Sequence, residues 1–331
     1  QRSADDRALA KTGVVPLILG GHEHDPFLER FERCVLTKSG MDATHAAVVT
    51  VTLSEPVHVE VRHEAVAPYA EDPALRALVN EANALVERLA GGVLLPELAE
   101  PLSSSGSRSR QTSMGTFVCT WLREALGTDA ALFNGGGLRG SEVHTDLFTL
   151  GDLQNELPFD NEIVVVELPG EVVRDAIASS RRHAPKGDGG FLQVDDGARV
   201  EGDRLVWLAG APLDPQRSYR VAVPRAHLLG LDRIEPFERF SKENPAAIPA
   251  AGCGRPPRLI LLEALVRSRI ERLGGFDVID TDHDGRVTRA DLELAMRRAG
   301  SAPSEATVSL VLNTLDANHD QVLTKDEAPD E

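Results

Sequence analysis

The last part of the chain takes its fold from one stretch of sequence: Asp280-Thr281-Asp282-His283-Asp284-Gly285-Arg286-Val287-Thr288-Arg289-Ala290-Asp291. Its predicted ligand atoms belong, in loop order, to Asp280, Asp282, Asp284, the carbonyl of Arg286, Thr288 and Asp291. They suit Ca²⁺, because a hard cation of this kind takes roughly six to eight oxygen ligands. Gly285 permits the left-handed turn at the sixth position. Asp291 stands where a bidentate Glu is usual, so we expect weaker calcium binding and more tolerance of Mg²⁺.

A second loop repeats this arrangement: Asp316-Ala317-Asn318-His319-Asp320-Gln321-Val322-Leu323-Thr324-Lys325-Asp326-Glu327. Its predicted ligands are the side chains of Asp316, Asn318, Asp320 and Glu327 and the carbonyl of Val322. Gln321 replaces the glycine of the first loop, which costs about 1 kcal/mol for a residue held at positive φ. Helices are predicted at 291–299 and 305–315, so the two loops form a paired EF-hand with Ca²⁺ as its cofactor. Ala328-Pro329 blocks a full exiting helix, which favours a structural role for calcium over a sensing role.

The composition describes an acidic protein with enough apolar residues for real cores. Its 331 residues, 42% of them hydrophobic, are sufficient for roughly two or three domains. The 35 basic and 52 acidic residues give a net charge of −17, which argues against binding to nucleic acid or to an anionic membrane. No apolar run is long enough for a membrane span. The three cysteines have no metal-binding or redox spacing and allow at most one disulfide.

Strands and helices alternate through the middle of the chain. Strands are predicted at 130–133, 163–168, 204–208 and 219–223, and helices at 117–126 and 171–180. This alternation predicts a mixed α/β domain. Earlier in the chain, the patterns predict strands at 14–19, 48–53 and 57–61 and an amphipathic helix over 72–89. A polar run at 103–107 marks a predicted domain boundary.

Three segments of this middle domain together suit an anionic, aromatic ligand. Arg110 and the hydroxyl residues after it stand directly before a helix, whose N-terminal amides favour anions. In the turn Asn134-Gly135-Gly136-Gly137-Leu138-Arg139, glycines such as Gly136 let the backbone approach a ligand, and Arg139 can hold a phosphate bidentately. Phe159 lies on a loop before a strand and is available for stacking on a base. Singly, each segment has a purely structural explanation, but the set in this order is specific.

These segments, together with Gly20-Gly21-His22-Glu23-His24 after a buried strand, resemble the 5′-nucleotidase family of calcineurin-like metallophosphoesterases. The resemblance covers the family's C-terminal substrate-binding domain from Arg110 to about Val223. Ala8 to Leu53 resembles the end of the family's metallophosphatase domain. The implied fold is an α/β (α+β) 5′-nucleotidase C-terminal domain, preceded by the tail of a metallophosphatase domain and followed by an all-α EF-hand module.

The expected division of the chain has five parts. They are a remnant of the metallophosphatase domain (1–66), a linker helix region (67–102), the substrate-binding domain (103–240), a linker (241–257) and the EF-hand pair (258–331). Most members of the family are exported, and millimolar calcium suits an imperfect EF-hand, so the resemblance implies an extracellular or periplasmic location.

The resemblance also assigns roles to residues of this sequence. His22 becomes a metal ligand, and His24 becomes a second ligand or a phosphate contact. The expected ligand contacts of the C-terminal domain are Arg110 and Arg139 for phosphate or ribose, Asn134 for base or ribose, the Gly136 turn, and Phe159 for one face of an aromatic clamp. The second clamp aromatic follows a glycine-rich element in the family. The corresponding loop is altered here, and Phe237 or Phe240 is expected to replace it.

The family uses a di-metal centre of the Zn²⁺/Mn²⁺ type to hydrolyse phosphoric monoesters, usually nucleotides. Its Asp-x-His, Gly-Asp-x-x-Asp and Gly-Asn-His elements are not in this sequence. Without a bridging carboxylate the metal pair is not expected to assemble. We therefore expect the C-terminal part of a 5′-nucleotidase, catalytically incomplete as it stands, whose partner is a nucleoside monophosphate or a similar phosphate monoester.

Two alternatives remain at this point. The chain could be a non-catalytic nucleotide- and calcium-binding module, or the EF-hand pair could be the functional part, acting as an interaction or anchoring element. The coding sequence upstream of Gln1 separates the enzyme from the binding module, because an enzyme requires the missing metal-binding elements in frame.

Overall fold

The computed structural model of the chain describes residues 3–22, 25–182 and 186–328. It divides into two compact units, Gln1–Ala82 and Asn83–Glu331. Among the described residues, no helix is both long enough and apolar enough to cross a membrane. The five-part division expected from the sequence stays a prediction.

The first unit contains a helix, a small sheet and a hairpin. Its elements are α1 (Ser3–Thr12), β1 (Leu17–Gly20), β2 (Pro26–Arg30), β3 (Val35–Ser39), β4 (His45–Thr52) and β5 (His58–Ala65), and α2 (Pro73–Ala90) continues into the second unit. β3 lies between β1, its parallel partner, and β2, its antiparallel partner. β4 and β5 pair antiparallel, which confirms the two strands predicted there.

The first strand begins later than the sequence predicted. The apolar run 14–19 favoured a strand throughout, whereas β1 spans Leu17–Gly20. Gly13 follows α1 with a φ of 64°, and a glycine in this conformation commonly ends a helix. Val14 comes directly after this turn and is 77% exposed, so it lies outside the sheet.

The second unit contains the remaining elements. Its strands are β6 (Val93–Leu95), β7 (Leu102–Ser103), β8 (Ala130–Asn134), β9 (Val143–His144), β10 (Phe148–Thr149), β11 (Ile163–Pro169), β12 (Leu192–Val194), β13 (Arg199–Glu201), β14 (Arg204–Leu208), β15 (Ala211–Pro212) and β16 (Ser218–Pro224). Its helices are α3 (Ser113–Ala125), α4 (Leu150–Glu156), α5 (Gly170–Ser180), α6 (Arg225–Leu228), α7 (Glu235–Glu243), α8 (Pro257–Arg272), α9 (Phe276–Ile279), α10 (Arg289–Arg298) and α11 (Glu305–Leu315).

β8 organises the second unit. In the sheet order β11-β16-β8-β12, it pairs parallel with β16 and antiparallel with β12. Successive side chains of a strand point to opposite faces. Ala131 and Phe133 accordingly belong to a first core with residues of α3 and α8, whereas Ala130 and Leu132 belong to a second core with residues of α5 and α7. The sheet separates these two cores, which confirms the mixed α/β architecture.

α3 begins at Ser113, earlier than the predicted start at Phe117. Thr112 has extended backbone angles, and its side chain accepts a hydrogen bond from the Gly115 N–H at 3.1 Å. This N-cap satisfies one of the otherwise unpaired amides of the first turn. The prediction rested on apolar periodicity and therefore missed the polar first turn.

One buried side chain holds the loop in front of α3. Gln193 is 0% exposed, and its Oε1 accepts a hydrogen bond from the Thr112 N–H at 2.9 Å. Its Nε2 donates to the carbonyls of Ser107 and Arg110, each at 2.7 Å. A Cβ on Gly115 would lie 2.0 Å from Gln193 Oε1, so glycine is required there. The loop that carries Arg110 thus depends on Gln193 for its position.

The segment expected to be a linker packs along the sheet. α7 ends inside it, at Glu243. Further on, Arg255 and Ile163, the first residue of β11, exchange two backbone hydrogen bonds of 2.9 and 3.2 Å. Arg225 Nε also donates to the Pro249 carbonyl at 2.8 Å. The chain therefore reaches α8 along the sheet edge and not as a free tether.

Replacing Gln193 with Leu is expected to destabilise the second unit by about 3 kcal/mol or more, because buried backbone groups lose their partners. Urea unfolding followed by tryptophan fluorescence measures the change. Gln216→Leu, at an exposed position, is the matched control and is expected to stay within about 0.5 kcal/mol of the wild type. Equal stability of the two variants would contradict the role of Gln193.

Candidate functional site

The first calcium loop brings three carboxylates together. One oxygen atom from each of Asp280, Asp282 and Asp284 lies within 4.8 Å of the others. Asp280 is 4% exposed, and its two oxygens accept hydrogen bonds from the Asp284 N–H at 3.3 Å and the Gly285 N–H at 2.9 Å. Gly285 has a φ of 80°, the left-handed turn expected at this position. The loop fits a hard divalent cation such as Ca²⁺.

The second loop has the same backbone turn. Asp316 is 2% exposed and accepts hydrogen bonds from the Asp320 N–H at 3.2 Å and the Gln321 N–H at 2.7 Å. Gln321 has a φ of 66°, so this loop keeps the left-handed turn without glycine. Val287 and Leu323 exchange two backbone hydrogen bonds of 2.8 and 2.9 Å and join the loops antiparallel.

The other predicted ligands of the two loops lie on these same turns. Asn318 Oδ1 accepts a hydrogen bond from the Asp320 N–H at 2.9 Å. The N–H groups of Arg286 and Val322, whose carbonyls are the predicted ligands, donate to Asp284 and Asp320 at 2.8 and 2.9 Å. The loops therefore hold the turn geometry through their own carboxylates.

The twelfth and last position is Asp291 in the first calcium loop and Glu327 in the second. Asp291 Oδ2 accepts hydrogen bonds from the Thr288 N–H and hydroxyl at 2.9 and 2.6 Å, which caps α10. Glu327 accepts from the Thr324 N–H at 2.9 Å with one oxygen and from the Ala317 N–H at 3.0 Å with the other. These bonds, led by that from the Thr324 amide, lower the pKa of Glu327. The longer Glu327 side chain spans its loop, whereas the hydrogen bonds described for the Asp291 side chain go to Thr288 at the start of α10.

Close backbone contacts surround the C-terminal end of β8. The Gly136 N–H donates to the Gly189 carbonyl at 2.7 Å, and a Cβ on Gly136 would lie 2.8 Å from Gly189 Cα. A Cβ on Gly135 would lie 2.0 Å from the Ser107 carbonyl oxygen. Residues without a Cβ are therefore required here. The loop before α3, the turn after β8 and the loop before β12 meet at this point.

Asn134 lies in the middle of this junction and is 6% exposed. Its Nδ2 donates to the Gly189 carbonyl at 3.3 Å and to Asp232 Oδ2 at 3.4 Å. Its Oδ1 is buried and has no hydrogen-bond partner among the described residues. Buried polar atoms are normally paired, so a ligand or an ordered water is the expected partner of this oxygen.

Arg139 and Phe159 lie next to each other. The guanidinium carbon of Arg139 is 5.5 Å from the centroid of the Phe159 ring, which is a cation–π geometry. Phe159 is 44% exposed. A guanidinium suits a phosphate and an exposed ring suits a base, so the structure brings together two of the chemistries predicted for ligand binding.

Arg110 and Phe237 are placed differently from these residues. The Arg110 guanidinium is exposed and donates to the Ser105 carbonyl at 3.0 and 3.4 Å. Phe237 is 0% exposed and belongs to the second core, because α7 packs its apolar face against α5. This burial argues against Phe237 as a clamp aromatic. Phe240 is partly buried against the same core.

The expected di-metal site is not supported by the described residues. His22 is exposed after β1, and His24 lies outside the described residues. At the end of β1, the Lys38 ammonium donates to the Gly21 carbonyl at 2.8 Å and pairs with Asp6 at 2.6 Å. Among the described residues, a group of three His, Cys, Asp or Glu ligand atoms occurs only in the first calcium loop. A buried ammonium with its own counter-ion is not a ligand set for a metal pair.

Sequence reasoning did not single out Asp232 and His227. His227 is 0% exposed, and its Nε2 lies 3.0 Å from Asp232 Oδ2. Asp232 has a φ of 59° and also contacts Asn134, so it joins His227 to the junction at the end of β8. The sequence signal that indicates this turn is Gly230, which begins it with a φ of 101°.

A second buried cluster supports the turn that carries Arg139. Glu156 is 0% exposed and accepts hydrogen bonds from the Ser104 hydroxyl at 3.1 Å and the Gly140 N–H at 3.3 Å. His144 Nε2 lies 3.3 Å from the same carboxylate. The Arg139 N–H also donates to the backbone carbonyl of Glu156 at 3.1 Å. These bonds connect the turn to the end of α4.

Among the described residues, two cavities lie beside α3. One, of about 580 Å³, is lined by residues of α3 and α8, and the other, of about 890 Å³, lies between α3 and the segment after β6. Trp121 lines both. Neither lining includes Asn134, Arg139 or Phe159.

Two family models match the chain. One, described as "5′-nucleotidase, C-terminal domain", matches residues 92–239, and the other, described as "EF-hand domain pair", matches residues 267–327. Among curated proteins, the trifunctional nucleotide phosphoesterase protein YfkN of Bacillus subtilis is 33% identical over 91 residues, 26% of this chain and 6% of that protein. Protein UshA of Yersinia enterocolitica is 30% identical over 127 residues, 38% of this chain and 23% of that protein.

Solved structures share the fold. A 5′-nucleotidase precursor from Thermus thermophilus superposes with a TM-score of 0.53 at 22% identity, over 79% of this chain and 58% of that one. A putative 5′-nucleotidase from Staphylococcus aureus superposes with a TM-score of 0.59 at 16% identity, over 84% of this chain and 57% of that one. The matched part of the chain therefore spans less than a quarter of those two curated relatives and a little over half of these structures.

Replacing Asp280 with Ala is expected to weaken calcium binding about tenfold or more, because a buried ligand oxygen and two hydrogen bonds to the loop backbone are lost. Isothermal titration calorimetry measures the affinity, and the wild type is expected to show at least one site. Asp326→Ala removes the same charge at an exposed position that is not a predicted ligand and serves as the control. No calcium heat for the wild type, or equal affinities of the two variants, would contradict the assignment.

Proposed function

We propose that the chain is the nucleotide-binding, calcium-binding part of a 5′-nucleotidase-type phosphoric monoester hydrolase, because residues 92–239 match the 5′-nucleotidase C-terminal domain and residues 267–327 match the EF-hand pair. The observation that carries the proposal is the junction at the end of β8. There a glycine turn, a buried acceptor on Asn134 that has no partner among the described residues, and the adjacent Arg139 and Phe159 combine the chemistries of a nucleotide site.

The proposed ligand is a nucleoside monophosphate or a similar phosphate monoester. Arg139 supplies a planar donor for the phosphate or ribose side, and Phe159 supplies the aromatic surface for the base. Asn134 Oδ1 accepts a hydrogen bond from the base or the ribose, and the Gly136 turn lets the ligand come close to the backbone. Arg110 lies on the adjoining loop held by Gln193, from which its exposed guanidinium is available to an anion.

Hydrolysis in this family of enzymes is assisted by a divalent metal pair, which activates water and neutralises the phosphate. The described residues around His22 do not fit such a pair, so no step of the reaction is assigned to them. We propose that Ca²⁺ is held by the two EF-hand loops and that a metal pair of the Zn²⁺/Mn²⁺ type needs ligands beyond His22 and His24.

The buried Lys38–Asp6 pair supports a second candidate function. The Lys38 ammonium binds the Gly21 carbonyl, next to His22, and its charge is neutralised by Asp6. A positive charge with its own counter-ion therefore lies where a metal would bind, which favours a non-catalytic nucleotide- and calcium-binding module. For either function we propose an extracellular or periplasmic location. The Thermus relative is described as a precursor, and an EF-hand with Asp at its last position suits millimolar calcium.

Nucleotide binding is tested by calorimetry with AMP and adenosine. Arg139→Ala is expected to weaken AMP about tenfold and adenosine little, because only AMP loses a charge-assisted contact. Phe159→Ala is expected to weaken both, because stacking does not depend on the phosphate. Arg204→Ala, at an exposed position on β14, is the control for lost positive charge. Failure of the wild type to bind AMP would contradict the proposed ligand.

Catalysis is tested with AMP and a chromogenic phosphate monoester in the presence of Mn²⁺ or Zn²⁺. The chain is expected to show no turnover above the metal-only background, because the described residues lack a bridging ligand set. Turnover that disappears in His22→Ala would contradict this expectation and would favour the enzyme over the binding module.

A further inference from the structure

The helices of the EF-hand pair do not form a separate core. The first core contains Leu94 and Leu95 of β6 and Leu122 of α3, and it also contains the apolar residues of α8, α10 and α11. Val287 and Leu323, which join the two calcium loops, belong to the same core. The calcium loops and the nucleotidase domain are therefore connected through continuous apolar packing.

β6 lies against both α8 and α11, the helices that precede the two calcium loops. The Val93 N–H donates to Thr307 Oγ1 on α11 at 3.1 Å. Arg269 Nη1 on α8 donates to the Val93 carbonyl at 3.3 Å, and Arg269 is 6% exposed. Both polar groups of one β6 residue are thus satisfied by the EF-hand helices, which makes this contact specific as well as apolar.

The backbone also approaches α11 closely at Gly92. A Cβ at this position would lie 2.9 Å from Leu310 Cδ2 and 3.1 Å from Leu310 Cβ on α11. The backbone before β6 therefore rests directly on the EF-hand surface. On the other side, α8 packs along α3, and Gly274 and Gly275, at φ values of 107° and 82°, separate α8 from α9 and the first calcium loop.

We propose that the partner of this EF-hand pair is the nucleotidase domain of its own chain, with β6 and α3 occupying the apolar surface that an EF-hand pair otherwise presents to an external helix. Calcium bound at the two loops then stabilises the nucleotidase domain, because a ligand that binds the folded state of a cooperative unit stabilises all of that unit. This inference rests on the calcium binding of the proposed function and is independent of nucleotide binding and catalysis.

The two tryptophans report on opposite sides of the sheet. Trp121 lies on α3, beside α8. Trp207 lies on β14, whose Leu205 and Leu208 belong to the second core. The single-tryptophan variants Trp207→Phe and Trp121→Phe therefore follow the two cores separately in the full chain. Thermal unfolding is recorded by fluorescence in excess EDTA and in saturating Ca²⁺, with calcium binding measured by calorimetry on the same samples.

Both reporters are expected to give one common Tm, and Ca²⁺ is expected to raise it by about 5 °C or more at each of them. Asp280→Ala combined with Asp316→Ala is expected to abolish the rise, whereas Asp326→Ala retains it. Calcium heat in calorimetry with an unchanged Tm at Trp207 would overturn this inference alone. No calcium heat would overturn both the inference and the calcium part of the proposed function, and it would leave the AMP result untouched.

The dye ANS tests the occupied surface directly, since it binds exposed apolar surface. Because α3 already packs against α8, and β6 against α8 and α11, Ca²⁺ is expected to leave ANS fluorescence unchanged in the wild type. A calcium-dependent rise in ANS fluorescence that is absent in the double loop variant would overturn the inference, because it would reveal a surface open to an external partner.

Discussion

The burial of β8 on both faces is the constraint on which the second unit depends. Its alternate side chains enter two different cores, so every residue from Ala130 to Phe133 must be apolar and closely fitted. The strand becomes polar at Asn134, its last residue, which still pairs with Leu192 of β12. In our proposal the nucleotide contacts therefore lie at the end of β8, where glycine turns let three loops meet and where, within the described part of the chain, the buried Asn134 Oδ1 has no hydrogen-bond partner.

Two buried polar side chains hold the loops of this junction in place. Gln193 holds the loop before α3, and Glu156 holds the turn that carries Arg139. Neither of these two side chains needs to touch a ligand to matter, because each satisfies buried backbone groups whose loss would move a binding residue. The first core, which contains Ala131 and Phe133 of β8, continues into the EF-hand helices. The calcium loops and the turns at the end of β8 are thus connected through one apolar core.

Local sequence patterns predicted much of this organisation. The calcium loops, the helices between them and most strands follow from residue spacing, because their geometry depends on neighbours in the chain. Features that depend on contacts between residues far apart in the chain were not predicted. The start of α3 depends on Gln193 of β12, and Phe237 is an aromatic residue that could bind a base but is buried in the second core. Likewise, Asp232 and His227 acquire a role only through their contact with Asn134.

The sequence by itself determined the EF-hand loops, the α/β alternation and the resemblance of the glycine and arginine turns to a nucleotidase domain. Each is encoded within a few consecutive residues, where backbone sterics and ligand count leave little choice. The convergence of Asn134, the Gly189 loop and Asp232, and the contact of β6 with the EF-hand helices, follow only from the tertiary packing. These contacts link residues far apart in the chain, so their pairing depends on how whole helices and strands pack.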